Sequence, residues 1–222
     1  MNKKIWVISL LAQVLILGGF FVSSNVVLAD TTGQLVPVSG GYIREWNPGN
    51  DTDWQLVNEG ITSPSCSSGD NISTNSANKK ESFTIDLSTI PDGSTIAGVQ
   101  VLAADRGFSY FDGGTYSTFI RFNGINSPNS STHTVSGSLA ACTGSRNDNF
   151  NVVSTIKNNS TTLEIGVVKL GSSSPSDRTV YIGAMVAVVT YTLPDTVSPV
   201  IDAHLDVTEE ATNTSGAVNY TV

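Results

Sequence analysis

A run of aromatic residues in the middle of the chain is a candidate binding surface. The segment from Arg106 to Tyr116 reads RGFSYFDGGTY, and its aromatic residues are Phe108, Tyr110, Phe111 and Tyr116. Aromatic rings interleaved with polar groups on a connecting loop can stack on a sugar ring or anchor a protein partner. The same rings could instead fold back over an open end of their own domain. The sequence leaves both interpretations open.

Closely spaced oxygen-bearing side chains form a candidate calcium site. The stretch Asn50-Asp-Thr-Asp53 brings the carboxylates of Asp51 and Asp53 together in a predicted turn, and Ca²⁺ prefers oxygen ligands. The stretch lacks the glycine and the distal glutamate of an EF-hand loop, and capping of a turn by aspartate explains it equally well. We therefore predict no cofactor, and Asp51 and Asp53 are kept as weak calcium candidates.

Known catalytic motifs do not occur in the sequence. His133 and His204 stand alone, and there is no Gly-x-Ser-x-Gly, His-Glu-x-x-His or Gly-rich phosphate-loop pattern. Four glutamates could supply the carboxylate pair of a glycoside hydrolase, but nothing selects two of them: Glu45, Glu59, Glu81 and Glu164. We predict that the protein is not an enzyme, with a glycoside hydrolase as the least favoured alternative.

The N-terminus has the organisation of a secretory signal peptide. Lys3 and Lys4 precede a mostly apolar run from Ile5 to Val22, and Val27-Leu-Ala29 offers a cleavage site before Asp30. The alternative is an uncleaved membrane anchor, since the run is nearly long enough to span a bilayer. We predict a helical signal peptide over 1–29 and a secreted or cell-surface protein that is not held in the membrane after cleavage.

Charge and cysteine content fit an exported protein. The chain has 19 acidic residues against 11 Lys and Arg, a formal net charge of −8, which argues against nucleic acid and anionic membranes as partners. Cys66 and Cys142 are the only cysteines, and in an oxidising compartment we expect them to form one disulfide. Closing a loop of about 77 residues would stabilise the fold by roughly 4 kcal/mol.

Between residues 34 and 192 the pattern is that of an all-β, antiparallel β-sandwich. Apolar residues recur with period two, and clusters of Gly, Pro, Asn and Ser interrupt them. In the segment Glu81–Leu87, Phe83, Ile85 and Leu87 are predicted to face the core. The alternating residues Ser82, Thr84 and Asp86 are predicted to face water. Val180–Thr192 is apolar on both faces and is therefore predicted to lie centrally in a sheet or against the neighbouring C-terminal domain. Trp46 and Trp54 could also stack on carbohydrate, but tryptophan in a small sandwich more often packs in the core, and both are assigned there.

Three segments resemble a known kind of domain. GGYIREWNPGNDTDWQLVNEG, ESFTIDLSTIPDGSTIAGVQVLAAD and VYIGAMVAVVTYT are similar to a jelly-roll type β-sandwich found in phage tail-associated and exported microbial surface proteins. Trp54, Val57 and Glu59 match the W..V.E pattern that follows its opening strand, and Phe83, Leu87, Pro91, Gly93, Ile96, Gly98, Val99 and Val101 match its hairpin. The resemblance implies a jelly-roll-like domain over 30–193 and no particular chemistry.

The C-terminal segment resembles a different module. DTVSPVI, from Asp195, followed by DVT, EAT and GAV, is similar to the first third of a hyalin repeat (HYR) domain, an immunoglobulin-like module of extracellular proteins. The chain lacks the second proline and the cysteine that many members carry. The resemblance implies an incomplete Ig-like β segment over 194–222, and hence a fragment of a longer protein.

Seven Asn-x-Ser/Thr sequons are possible glycosylation sites: Asn50, Asn71, Asn129, Asn158, Asn159, Asn213 and Asn219. A composition so rich in Asn, Ser and Thr also generates sequons by chance.

Two functions from different classes follow from these observations. The first is a non-catalytic extracellular module that acts in adhesion and display through a cell-surface protein or glycan partner. The alternative is a carbohydrate-binding domain that uses the aromatic loop from Arg106 to Tyr116, with or without calcium.

Overall fold

The computed structural model describes residues 29–48, 52–64, 69–107, 114–135, 142, 145–171 and 179–195. Within them the chain forms eleven strands and one short 3₁₀ helix, Asp53–Leu56. The strands are β1 (Ala29–Thr31), β2 (Pro37–Arg44), β3 (Ile72–Thr74), β4 (Lys80–Ile85), β5 (Thr95–Gly107), β6 (Thr115–Phe122), β7 (Ile125–Asn126), β8 (His133–Thr134), β9 (Ser145–Ile156), β10 (Leu163–Lys169) and β11 (Val180–Thr192).

The strands form two antiparallel sheets. The first sheet has the order β1-β11-β5-β9, with β3 also paired to β11. The second has the order β2-β4-β10-β6-β7, with β8 also paired to β6. From β4 onwards each long strand lies in the opposite sheet from the one before it, so the chain wraps from sheet to sheet. The molecule is an antiparallel jelly-roll-like β-sandwich, as the sequence predicts.

Inward-facing residues of both sheets build one core. In β4, Phe83 and Ile85 are buried and belong to the same hydrophobic cluster as Val99 and Val101 of β5. This is the alternation that period-two sequence patterns predict for strands with one buried face. Trp46 is buried at 1% exposure, and Trp54 packs partly buried against the cluster. The assignment of Trp46 to the core is confirmed, whereas Trp54 lies at the edge of the core.

The last strand lies in the middle of its sheet. β11 pairs with β5 along one edge and with β1 and β3 along the other. Most of its residues are buried whichever face they point to. The prediction of a central strand, made from its continuous apolar sequence, is therefore confirmed.

Two predicted segments lie almost wholly outside the described residues. Of the predicted signal peptide the structure describes only Ala29, which belongs to β1 and pairs with Thr192 of β11. Of the predicted HYR segment it describes only Pro194 and Asp195. The signal helix and the HYR segment therefore stay predictions. Among the described residues, no helix combines the length and hydrophobicity needed to cross a membrane.

Candidate functional site

A bulge in β2 creates the candidate site on the outer face of the second sheet. Gly40 pairs with Phe83 of β4 and Arg44 with Glu81, so three residues of β2 stand opposite Ser82 alone. Extra residues bend the bulged strand and redirect its side chains. Here the extra residues bring Tyr42 to the surface, where it is 77% exposed.

Gly41 allows the bulge to lie close against the sheet. A Cβ atom at this position would lie 2.4 Å from Ser82 Oγ and 2.6 Å from Glu164 Oε2. Neither distance is compatible with a side chain, so only glycine fits here. The pair Gly40-Gly41 inside a strand is therefore the sequence signal for the bulge.

Glu164 of β10 and Ser82 of β4 replace the missing strand partners of the bulge. Glu164 Oε2 accepts hydrogen bonds from Tyr42 N at 2.9 Å and from Ser82 Oγ at 2.7 Å. Ile43 N in turn donates to Ser82 Oγ at 3.1 Å. The expectation that Ser82 faces water is wrong, because the bulge covers it completely.

The ring of Tyr42 is held by a cation. The guanidinium carbon of Arg121 lies 4.3 Å from the centre of the Tyr42 ring, within the range of a cation–π contact. Arg121 Nη1 also pairs with Glu164 Oε1 at 3.0 Å. One carboxylate therefore fixes both the backbone of Tyr42 and the cation under its ring, so the ring is presented to solvent in a set position.

Arg121 and Glu164, the two residues that hold Tyr42, also line a polar cleft of about 540 Å³. Its lining residues are Thr84, Arg121, Asn123, Gly124, Thr155, Ile156, Asn158, Ser160, Thr161, Thr162 and Glu164. Hydroxyl and amide groups can hydrogen-bond to sugar hydroxyls, while an exposed tyrosine ring offers an apolar face to the C–H groups of a pyranose. The combination is suited to carbohydrate.

A second polar cluster lies between the sheets and has a different character. Tyr116 Oη donates to Asp105 Oδ2 at 2.8 Å, and Arg146 Nε donates to the same oxygen at 2.8 Å. Burial raises the pKa of the Tyr116 hydroxyl well above its usual value, and the Asp105 carboxylate adds to the effect. The hydrogen bond that Arg146 donates to Asp105 raises the pKa of Arg146.

Asp148 extends this inter-sheet cluster. Its Oδ2 accepts a hydrogen bond from Thr118 Oγ1 at 2.6 Å and lies 2.7 Å from His133 Nε2. The rings of His133 and Tyr116 are 5.2 Å apart. The cluster joins β6 and β8 of one sheet to β5 and β9 of the other, so its evident role is to tie the two sheets together.

Of the four aromatic residues predicted to bind a ligand, the structure describes only Tyr116. Tyr116 has no exposed surface, so its ring cannot stack on a ligand, and the structure corrects its assignment to a binding surface. Its place in β6, on the same face as Ile120, accounts for the burial. Phe108, Tyr110 and Phe111 lie outside the described residues, and their binding role stays a prediction.

Of the two predicted calcium ligands, the structure describes only Asp53. Asp53 is 1% exposed within the 3₁₀ helix, whereas Asp51 lies outside the described residues. In the part of the chain that the structure describes, no three His, Cys, Asp or Glu side chains are grouped so that they could hold a metal ion. Calcium at Asp51 and Asp53 therefore stays a prediction without support from the described residues.

The predicted disulfide and sequons remain open. Cys142 is not a free thiol, but Cys66 lies outside the described residues, so their pairing stays a prediction. Asn129, Asn158 and Asn159 are exposed and Asn71 is half-buried. The other three sequons, at Asn50, Asn213 and Asn219, are not described.

Two of the four glutamates considered for glycoside hydrolysis point to opposite faces of the second sheet. Glu81 of β4 is fully buried on the core side, and its Oε2 accepts hydrogen bonds from Glu45 N at 2.7 Å and Trp46 N at 3.0 Å. Glu164 lies on the outer side, beneath the bulge. Glu81 and Glu164 thus do not converge on one cleft.

Comparison with solved structures finds distant similarities, three of which are to carbohydrate-binding modules. The CBM36-1 domain of a multidomain xylanase from the hindgut metagenome of Trinervitermes trinervoides is 11% identical, with 72% of this chain and 96% of that chain covered and a TM-score of 0.29. The carbohydrate-binding module CBM36 in complex with calcium and xylotriose is also 11% identical, covering 72% and 98% at a TM-score of 0.29. The xylan-binding module CBM15 is 11% identical, covering 75% and 97% at 0.30.

No protein-family model matches the sequence, and comparison with curated proteins likewise finds no match. The structural similarities are too distant to assign a ligand.

Proposed function

We propose that this chain is a non-catalytic module that binds carbohydrate on the outer face of its second sheet. The observation that carries the proposal is Tyr42, an aromatic ring that is 77% exposed yet fixed from below by Arg121. A large exposed aromatic side chain held in one orientation binds with little loss of conformational entropy. The adjoining cleft supplies hydroxyl and amide groups to orient a sugar.

The proposal also gives a physical basis to the adhesion role predicted from the sequence. A module exported behind a signal peptide and joined to HYR repeats would be displayed outside the cell. Glycan binding at Tyr42 would then be the contact through which it adheres. This wider role rests on the predicted signal peptide and HYR segment, whereas the binding site rests on the described residues alone.

A glycan array followed by isothermal titration of the bound polysaccharides tests the proposal. The protein should be produced without N-glycans, because the sequon residue Asn158 lines the cleft. We expect saturable binding that Tyr42→Ala weakens at least about tenfold, as loss of an aromatic contact at the centre of a site typically does. Tyr42→Phe keeps the ring and should keep most of the affinity.

Ile125→Ala is the matched control, because it removes a side chain that is about as exposed as that of Tyr42, at 75%, from β7 at the edge of the same sheet. Its affinity should equal that of the unaltered protein. If no carbohydrate binds, or if Tyr42→Ala binds as well as the unaltered protein, the proposal is wrong. If Tyr110→Ala removes binding and Tyr42→Ala does not, the loop predicted from the sequence carries the ligand instead.

A further inference from the structure

The charged groups of the cleft are already engaged with one another. Only Arg121 and Glu164 among its lining residues carry charge, and they pair at 3.0 Å with side chains that are 20% and 11% exposed. The second oxygen of Glu164 accepts two further hydrogen bonds, from Tyr42 N and Ser82 Oγ. Arg121 also lies against the Tyr42 ring. Both charges are therefore used to build the site.

The remaining polar groups of the cleft are neutral and several are fixed. Asn123 Oδ1 accepts a hydrogen bond from Thr162 N at 3.0 Å, and Asn158 Oδ1 accepts one from Ser160 N at 2.9 Å. An amide whose oxygen is held by the backbone has its NH₂ group left to donate. Asn123 and Asn158 thus offer oriented neutral donors, which suit the hydroxyl and ring oxygens of a sugar.

We infer that the ligand of this cleft is an uncharged glycan chain, and that uronic-acid and sulfated glycans are excluded. The inference rests on the proposed function and specifies its ligand class. Among the residues that line this cleft, an anionic sugar would find no cation that is not already paired with a carboxylate, so its charge would lose water without gaining a partner. The net charge of −8 adds a general repulsion of polyanions.

Matched pairs of soluble polymers with one backbone test the inference. Hydroxyethyl cellulose against carboxymethyl cellulose, and dextran against dextran sulfate, differ mainly in charge; the same comparison is made for any backbone bound on the array. We expect each anionic polymer to bind at least about tenfold more weakly than its neutral partner. The affinity for the neutral polymer should change less than about twofold between low salt and about 0.5 M salt, where charge interactions are screened.

Glu164→Gln provides a gain-of-function test of the same inference. The substitution removes the carboxylate that neutralises Arg121 while keeping a side chain of similar shape. We expect the affinity for the anionic polymers to rise relative to the neutral ones by about tenfold, in a salt-dependent way. A circular dichroism spectrum and a thermal melt establish that the variant is folded before binding is measured.

The outcomes separate the inference from the proposed function. The inference is overturned if the unaltered protein prefers anionic polymers in a salt-sensitive way. If Tyr42→Ala abolishes that binding as well, the proposed function stays in place. If Glu164→Gln is folded and its preference is unchanged, the pairing of Arg121 with Glu164 does not set the ligand class. Failure of every polymer to bind, or binding that is indifferent to Tyr42→Ala, overturns the proposed function itself.

Discussion

Two clusters of this protein contain an arginine, a carboxylate and a tyrosine, and they use them in opposite ways. On the outer face, Arg121 pairs with Glu164 at 3.0 Å and the tyrosine, Tyr42, is 77% exposed. Between the sheets, Arg146 pairs with Asp105 at 2.8 Å, and Tyr116 is buried with its hydroxyl on the same carboxylate. The residue types are the same, but only the outer cluster offers its ring to a ligand.

The difference lies in what surrounds the carboxylate. Asp105 has no exposed surface, so any partner that is removed leaves a polar group without water to replace it. Glu164 and Arg121 keep some exposure, so water can substitute in part for a lost partner. The inner cluster should therefore govern stability and the outer cluster should govern binding.

The largest expected effect comes from Asp105→Ala. The substitution leaves the Tyr116 hydroxyl and the Arg146 guanidinium without their shared acceptor, and breaking a buried pair in this way costs about 3–5 kcal/mol. Urea unfolding followed by tryptophan fluorescence measures the loss. Glu164→Ala is the counterpart in the outer cluster, and we expect a cost of about 1–2 kcal/mol. Equal losses would contradict the contrast between the clusters.

The next effect concerns Glu81, which faces the core and holds the far end of the bulge. Burial raises its pKa from 4.5 to about 7, and Asp53 adds to the rise while hydrogen bonds from Trp46 and Glu45 and the charge of Arg44 oppose it. Between pH 4.5 and 7 the folded protein keeps a proton that the unfolded chain releases. Stability should therefore fall as the pH rises through this window and level off above it.

Glu81→Gln tests this dependence, because glutamine keeps the hydrogen-bond acceptor and cannot ionise. Above pH 7 we expect the variant to exceed the unaltered protein in stability by up to roughly 3 kcal/mol. Urea unfolding at a series of pH values provides the measurement. Glu45→Gln is the control, since Glu45 is exposed, and it should keep the original slope. If the curves for Glu81→Gln and the unaltered protein run parallel, Glu81 does not ionise in this range.

Tyr116→Phe should have a smaller effect on stability. It removes one hydrogen bond to Asp105 but leaves the bond from Arg146 in place, at a cost of about 1–2 kcal/mol. Thermal melts of the two proteins measure the change. Carbohydrate binding should be unaltered, because Tyr116 is buried away from the cleft. A loss of affinity would show that the inner cluster also takes part in binding.

The smallest expected effect on stability is that of Tyr42→Ala. Tyr42 is largely exposed, so its removal should change the free energy of unfolding by less than about 0.5 kcal/mol, although the same change removes the proposed binding. Urea unfolding of the variant used in the titrations provides the value. A destabilisation comparable to that of Asp105→Ala would assign Tyr42 to the fold and would weaken its role as a binding surface.

The strands and the core could be predicted from the sequence, but the candidate site could not. Alternation fixed the inward face of β4 because Phe83 and Ile85 recur with period two. The binding role predicted for Tyr116 is wrong because Tyr116 belongs to β6 and not to the preceding loop. Continuing the alternation from Ile120 back through Thr118 reaches Tyr116 and places it inside. Gly40-Gly41 signals a bulge, but it does not reveal that Glu164 and Arg121 lie beneath the next residue.

The sequence by itself determined the class of fold, the central place of β11 and the burial of Trp46, because each depends on the kind and local pattern of apolar residues. Only the tertiary structure decided that Tyr42 is exposed and lies against Arg121. Tyr42 contacts Arg121 and a carboxylate on β10, residues far apart in the chain that meet because β4, β10 and β6 are neighbours in one sheet. Long-range strand pairing cannot be read from local periodicity, and the position of the candidate site follows from that pairing.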